Sequence, residues 1–185
     1  MNSNKRILLS IMIAFFSCGH KQVKTVFLFF PSSNKDLLQK GYRFDSKFQT
    51  YRKTVGDTLE VIWDWNEDAR SFSKQFYISA PDGLSLTAKE DNLDKIIKEI
   101  ISRADSLYLN QRHTCVFKVD GYNLALFAGY SASGSSYRIS LISLNSSKNR
   151  NDCITQLEQL KKNYTGIVNA DSVDLAIKMI KGLGN

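Results

Sequence analysis

The sequence predicts an α+β fold, an antiparallel sheet of about five to seven strands packed against about three helices. Three observations carry the prediction. Segments of period-two alternation follow one another in two runs, one long segment at helical spacing separates the runs, and two further helical segments close the chain. Strands that succeed one another directly are joined by hairpins into an antiparallel sheet, and the helices then cover one of its faces. The chain has 185 residues, 43% of them hydrophobic and 23% charged, with only two prolines, which fits one folded domain and excludes a disordered or collagen-like chain.

The first run begins with Val26-Phe27-Leu28-Phe29-Phe30, a continuous apolar run stopped by Pro31 and two serines, which reads as a central strand. Tyr42, Phe44 and Phe48 alternate with polar residues. Leu59, Val61, Trp63 and Trp65 alternate more strongly, which puts both tryptophans on the same strand face. Phe72 to Ile78 is a further strand before the turn at Pro81-Asp82-Gly83.

Thr87-Ala88-Lys89-Glu90 has the pattern of a capping box, and Leu93, Ile96, Ile97, Ile100, Ile101, Ala104, Leu107 and Tyr108 recur at helical spacing after it. Cys115 to Val119 and Tyr122 to Ala128 flank Asp120-Gly121, a pair suited to a two-residue hairpin because both central residues need positive φ. A loop rich in serine and glycine leads to the strand Tyr137 to Ser143. Ile154, Leu157, Leu160 and Tyr164 mark one terminal helix, and Val173, Ala176, Ile177 and Ile180 mark the other, stopped by Gly182.

The N-terminus reads as an address. Lys5 and Arg6 precede an apolar run from Ile7 to Phe16, too short to span a bilayer, for which a helix needs about 20 residues. Phe15-Phe16-Ser17-Cys18 resembles the lipobox of bacterial lipoprotein precursors, with Phe15 where those precursors usually carry leucine. The resemblance implies a signal peptide over residues 1–17, a diacylglyceryl group on Cys18, a tether over 18–25 and a single α+β domain over 26–185. Two or more acyl chains on one cysteine anchor a protein durably. The residues after Cys18 lack both the aspartate that resembles an inner-membrane retention signal and an acidic surface-export cluster, which points to the outer membrane, facing the periplasm.

The formal net charge is +7, but an acidic segment, residues 54–94, with nine acidic and three basic side chains, interrupts the basic ones. That pattern and the absence of longer Lys/Arg runs argue against nucleic acid. With Cys18 lipidated, Cys115 and Cys153 remain as an even pair in an oxidising compartment and are disulfide candidates.

No catalytic set stands out. Gly129-Tyr130-Ser131-Ala132-Ser133 falls one residue short of a nucleophile elbow, and both histidines, His20 and His113, precede it, whereas that chemistry needs a histidine after the serine. His113 and Cys115, two residues apart, and Cys153 offer three zinc ligands without a fourth. Asp64-Trp65-Asn66-Glu67-Asp68 starts like an EF-hand loop, but Ala69 replaces the glycine of the turn and Gln75 the bidentate glutamate. Both phosphate-binding glycine motifs are absent. The expectation is therefore no metal, no cofactor and no catalytic residue. What remains is a candidate partner or ligand surface at Trp63, Asp64, Trp65, Asn66, Asp68, Tyr130, Ser131 and Ser133, whose aromatic rings suit an envelope protein or glycan. The sequence points to a lipid-anchored, non-enzymatic binding or interaction module; a cell-envelope hydrolase using acids of the 64–68 loop is the alternative.

Overall fold

The computed structural model describes residues 28–80, 82–131 and 133–184. The signal peptide, Cys18, the tether, Val26 and Phe27 lie outside them. The fold is α+β: one antiparallel sheet of eight strands, with four helices among the described residues. In chain order the elements are α1 (Asn34–Gln39), β1 (Arg43–Asp45), β2 (Thr50–Val55), β3 (Thr58–Asn66), β4 (Ser71–Ser79), α2 (Leu86–Ile101), β5 (Ser106–Gln111), β6 (Thr114–Val119), β7 (Tyr122–Tyr130), β8 (Ser136–Ser143), α3 (Ser147–Asn163) and α4 (Ala170–Gly182).

The sheet order is β1-β2-β3-β4-β8-β7-β6-β5. Each half is a meander that starts at an edge and winds inward, so the last strands of the two halves, β4 and β8, meet at the centre, with Phe76 opposite Ile139 and Lys74 opposite Leu141. Asp120 and Gly121 make the hairpin between β6 and β7 at φ +49° and +80°, as their residue types require.

Several expectations are corrected. Residues 28–31 form no strand. Their rings lie flat on the sheet instead, Phe30 stacked 5.3 Å from Tyr122 and Phe29 stacked 6.0 Å from Tyr42, and the Tyr122 hydroxyl donates to the Pro31 carbonyl at 2.9 Å. An apolar run of strand length is equally satisfied by packing side chains on a sheet face. The expected strand around Tyr42 to Phe48 divides into β1 and the turn that leads to β2, whose polar sequence carried no hydrophobic alternation. The long helix ends at Ile101, and Leu107 and Tyr108 belong to edge strand β5, where both are exposed and a register shift falls between Leu107 and Leu109. Helical spacing continued by coincidence across a strand. The helix also starts earlier than Thr87: Ser85 is the N-cap, its hydroxyl accepting the Ala88 amide at 3.2 Å.

Helices cover both faces rather than one. Leu93, Ile96, Ile97 and Ile100 of α2 join a first core with Phe72 and Phe76 of β4, Phe117 of β6, Leu124 and Leu126 of β7 and Ile139 and Leu141 of β8. Burying each such side chain contributes about 1.5–3 kcal/mol. On the opposite face, Cys153, Leu157 and Leu160 of α3 and Val173, Ala176, Ile177 and Ile180 of α4 pack with Val116 and Ala125 in a second core. Strand β6 is thereby enclosed from both sides, and four of its residues in succession, Thr114 to Phe117, are buried. The second core draws no residue from β1–β4, so this face of the first half carries no helix among the described residues.

Candidate functional site

The central strands of a sheet are where apolar residues are expected on both faces, yet here one face is polar. Alternation sends Phe72, Lys74, Phe76 and Ile78 of β4 into the first core and leaves Ser73, Gln75 and Tyr77 on the other side. Across the central ladder these face Ile142, Ser140 and Arg138 of β8. Helix α3 lies along one border of this strip. The result is a groove of about 220 Å³ with Ser73, Gln75 and Ser140 on its floor, Asp64 and Arg138 from the strands, and Asn149, Asp152 and Gln156 from α3.

Two devices shape the groove. The first is a β-bulge in β3: Trp63 pairs with Ser73, but the next pair is Asn66 with Ser71, so one extra residue is accommodated. Asp64 takes it up at φ +50°, a left-handed conformation uncommon outside glycine and asparagine. The bulge brings Asp64 into the groove lining and reverses the facing of the residue after it. Trp63 stays on the open face. Trp65 turns to the first core, where its Nε1 donates to Asn34 Oδ1 at 2.9 Å; the Tyr51 hydroxyl donates to the same oxygen at 2.8 Å. The two tryptophans therefore occupy opposite faces, which corrects the reading from alternation. The Trp63 Nε1 is buried and has no hydrogen-bond partner.

The second device is Asn149. It is buried at the start of α3, and its Nδ2 donates to the carbonyls of Ser143 at 2.9 Å and Phe72 at 3.3 Å. It thus ties α3 to the ends of both central strands. Asp152 and Gln156, one and two turns further along, are held above the floor by that tie. Lys148 Nζ pairs with Asp64 Oδ1 at 3.0 Å and links the bulge to α3; both side chains are largely exposed, and such pairs contribute at most about 1 kcal/mol.

A different polar group lies beneath the sheet. Lys74 is fully buried in the first core, 2.7 Å from Glu60 Oε2, and the Tyr42 hydroxyl donates to the same carboxylate oxygen. The ammonium has no well-directed hydrogen bond, but it lies 4.6 Å from the Phe76 ring centroid and 5.5 Å from that of Tyr42. Burial lowers the Lys74 pKa against the opposing pull of Glu60. Burial, reinforced by the Glu60 charge and hydrogen bond, raises that of Tyr42 far above the ordinary phenol value. Phe29 roofs the cluster.

The surface residues singled out from sequence do not form one site. The loop after β3 and the loop between β7 and β8 lie at opposite ends of the sheet, since Ser73 pairs with Ile142 while Ser79 pairs with Ser136; the length of β4, roughly 25 Å, separates them. Asn66 and Asp68 are exposed in the first loop, and Asn66 Oδ1 accepts the Ala69 amide at 2.9 Å, a turn contact. In the second loop the Ser131 hydroxyl lies 3.1 Å from that of Ser133 and accepts the Ser136 amide, and Tyr130 stands beside Tyr137 at 5.9 Å. His113 sits in the turn between β5 and β6, not on a strand, at φ +60° with Arg112 before it at +49°. Its Nε2 is 3.0 Å from Asp94 Oδ1, on the border of a second hollow of about 310 Å³. Cys115 and Cys153 are both free and buried, and the structure does not bring them together: one belongs to the first core and the other to the second, with the sheet between. Burial pushes each thiol up to about 12. Among the described residues no three His, Cys, Asp or Glu side chains are grouped to hold a metal ion.

Of the groove, sequence reasoning found Asp64 and its neighbour Trp63; it missed Ser73, Gln75, Arg138, Ser140, Asp152 and Gln156. Polar residues alternating with apolar ones read as an ordinary solvent face. The signal became specific only once β4 and β8 were seen to be central. The chain matches no protein-family model, and neither a curated protein nor a solved structure is significantly similar to it.

Proposed function

We propose that this chain is a lipid-anchored envelope protein, cut before Cys18 and held to the outer membrane facing the periplasm, that acts as a non-enzymatic binding module. What supports the anchor is the charged, apolar and Ser17-Cys18 succession of the N-terminus. What supports binding is one observation, the polar groove opened across the two central strands and walled by α3. Leaving Ser73, Gln75 and Ser140 uncovered at the middle of a sheet forgoes apolar burial that a ninth-tenth of the core would otherwise gain, and convergent polar groups in a concavity are what a ligand site requires.

Intact mass of the protein from a membrane fraction tests the anchor. The expected species lacks residues 1–17 and carries acyl mass on Cys18; an uncleaved chain without lipid overturns the anchor. Asp152→Ala, on the exposed wall of the groove, tests the binding reading by its loss of ligand capture at unchanged melting temperature.

One observation favours a second reading, a cell-envelope hydrolase. Asp64 from the bulge and Asp152 from α3 border the same groove from different elements, as two carboxylates working across a substrate must. Under that reading Asp64→Asn abolishes turnover and retains binding. Under the binding-module reading there is no turnover to lose.

A further inference from the structure

The groove's lining narrows its ligand to one chemical class; the inference rests on the binding-module reading. Its charges balance locally: Asp64 and Asp152 are offset by Arg138 and by Lys148, which is already paired with Asp64. An anionic ligand would meet two carboxylates for one arginine, and a cationic one would have to displace that pairing. A neutral ligand is the one this balance accepts.

The lining also excludes a peptide bound through its side chains. Ile142 is the sole aliphatic residue bordering the groove, so no apolar pocket is present to select a side chain. Nor can a peptide add here as an extra strand, because β4 and β8 are central and have both neighbours already. What the groove offers is a dense set of hydrogen-bonding side chains. The carboxylates accept, the Arg138 guanidinium donates through a rigid fork, and Gln75, Gln156, Ser73 and Ser140 do both. That set matches a molecule whose every edge carries hydroxyls that donate and accept at once. Beside it on the same face runs a strip of β3, Leu59, Val61 and Trp63, the last cross-strand from Ser73. An aromatic ring bordering polar groups suits the C–H face of a sugar ring. The strained backbone at Asp64 is what places an acid and an indole together on this border.

We infer that the groove between α3 and the open face of β3, β4 and β8 is a binding site for a neutral saccharide. Asp64, Gln75, Arg138 and Asp152 take its hydroxyls, and Trp63 flanks its ring face.

The chain has two tryptophans, so in the Trp65→Phe variant Trp63 is the only indole and reports on the groove alone. The intact protein carrying Trp65→Phe is titrated with cellotetraose, chitotetraose and maltotetraose, and separately with a tryptic digest of casein as peptide probe. The expected result is a saturable change of Trp63 emission with at least one saccharide, no response to the peptides, and affinity about tenfold weaker or less in Asp152→Ala. Ser140→Leu, which fills the floor, removes the response with the same saccharide. If the peptides bind and compete at the groove while no saccharide does, the saccharide assignment is overturned and the binding-module reading stands. If a saccharide binds with unchanged affinity in both groove variants, the groove is overturned as its site. If no probe binds at all, both the saccharide assignment and the groove reading fail.

Discussion

Lys74 and Glu60 face one another on β4 and β3 with 2.7 Å between ammonium and carboxylate, and both are shut into the first core under Phe29 and Tyr42. A buried pair of this kind contributes little over apolar residues of the same shape, because desolvating two charges offsets their attraction. Breaking it is another matter. Lys74→Met leaves Glu60 as a buried carboxylate with only the Tyr42 hydroxyl for a partner, and the expected loss is about 3–5 kcal/mol in denaturant unfolding. Adding Glu60→Gln removes the stranded charge and keeps an acceptor for Tyr42, so the double variant is expected to recover most of the loss. A double variant as weak as the single one would show that the pair is not what Lys74 contributes.

The two buried thiols set the alkaline limit of stability. In the native state Cys115 and Cys153 hold their protons up to about 12, against 9.0 for an unperturbed thiol. Between those values the folded chain binds more protons than the unfolded one, so stability falls as pH rises from 9, by at most about 1.4 kcal/mol per pH unit for each thiol. Tyr42, raised from 10.0, adds to the fall above that pH; Lys74, lowered from 10.5, acts in the opposite direction. Melting temperature followed across pH 9 is expected to drop, and the drop is expected to be shallower in Cys115→Ala/Cys153→Ala.

The same cysteines give a chemical test. Buried in separate cores, both are expected to resist iodoacetamide in the native protein and to react on unfolding without any reductant. Peptides containing Cys115 and Cys153 that stay unmodified in denaturant until a reductant is added would show a disulfide.

Gly121 isolates the cost of backbone conformation. Its φ is +80° and a Cβ there would meet nothing within 4 Å, so Gly121→Ala carries no steric clash beyond its own backbone. The expected destabilisation is about 1–2 kcal/mol, the penalty of the left-handed region for a side-chain-bearing residue. Gly182, at the end of α4, has equally open space without positive φ, and Gly182→Ala is expected to leave the melting temperature unchanged or slightly raised.

Deleting Asp64 tests the bulge. Without the extra residue, alternation returns Trp65 to the face of Trp63, and its hydrogen bond to Asn34 and its packing in the first core are lost. The expected outcome is a red-shifted tryptophan emission and a stability lower by about 2 kcal/mol or more. An unshifted spectrum would mean that Trp65 does not depend on the bulge for its burial.

Much of the secondary structure was legible because it rests on local signals. The alternation of β3, β4 and β8, the Asp120-Gly121 hairpin and the apolar stripes of α2 and α4 are written in residue order alone. What failed did so where one local pattern has two physical solutions. Phe29 and Phe30 satisfy an apolar run by stacking on a sheet face instead of entering it, and Leu107 and Tyr108 fit a helical spacing that the chain had already left.

The sequence by itself determined that this is an α+β chain with an antiparallel sheet, because which residues alternate depends only on neighbours along the chain. Tertiary structure alone decided that β4 and β8 meet at the centre, that the helices divide between two faces, and that one half of the sheet is left open. Those outcomes depend on pairing between residues more than sixty positions apart, such as Gln75 with Ser140, and no local period encodes a partner at that distance. The groove belongs to this second kind: Ser73, Gln75 and Ser140 become a site only because long-range pairing places them side by side and α3 stops short of covering them.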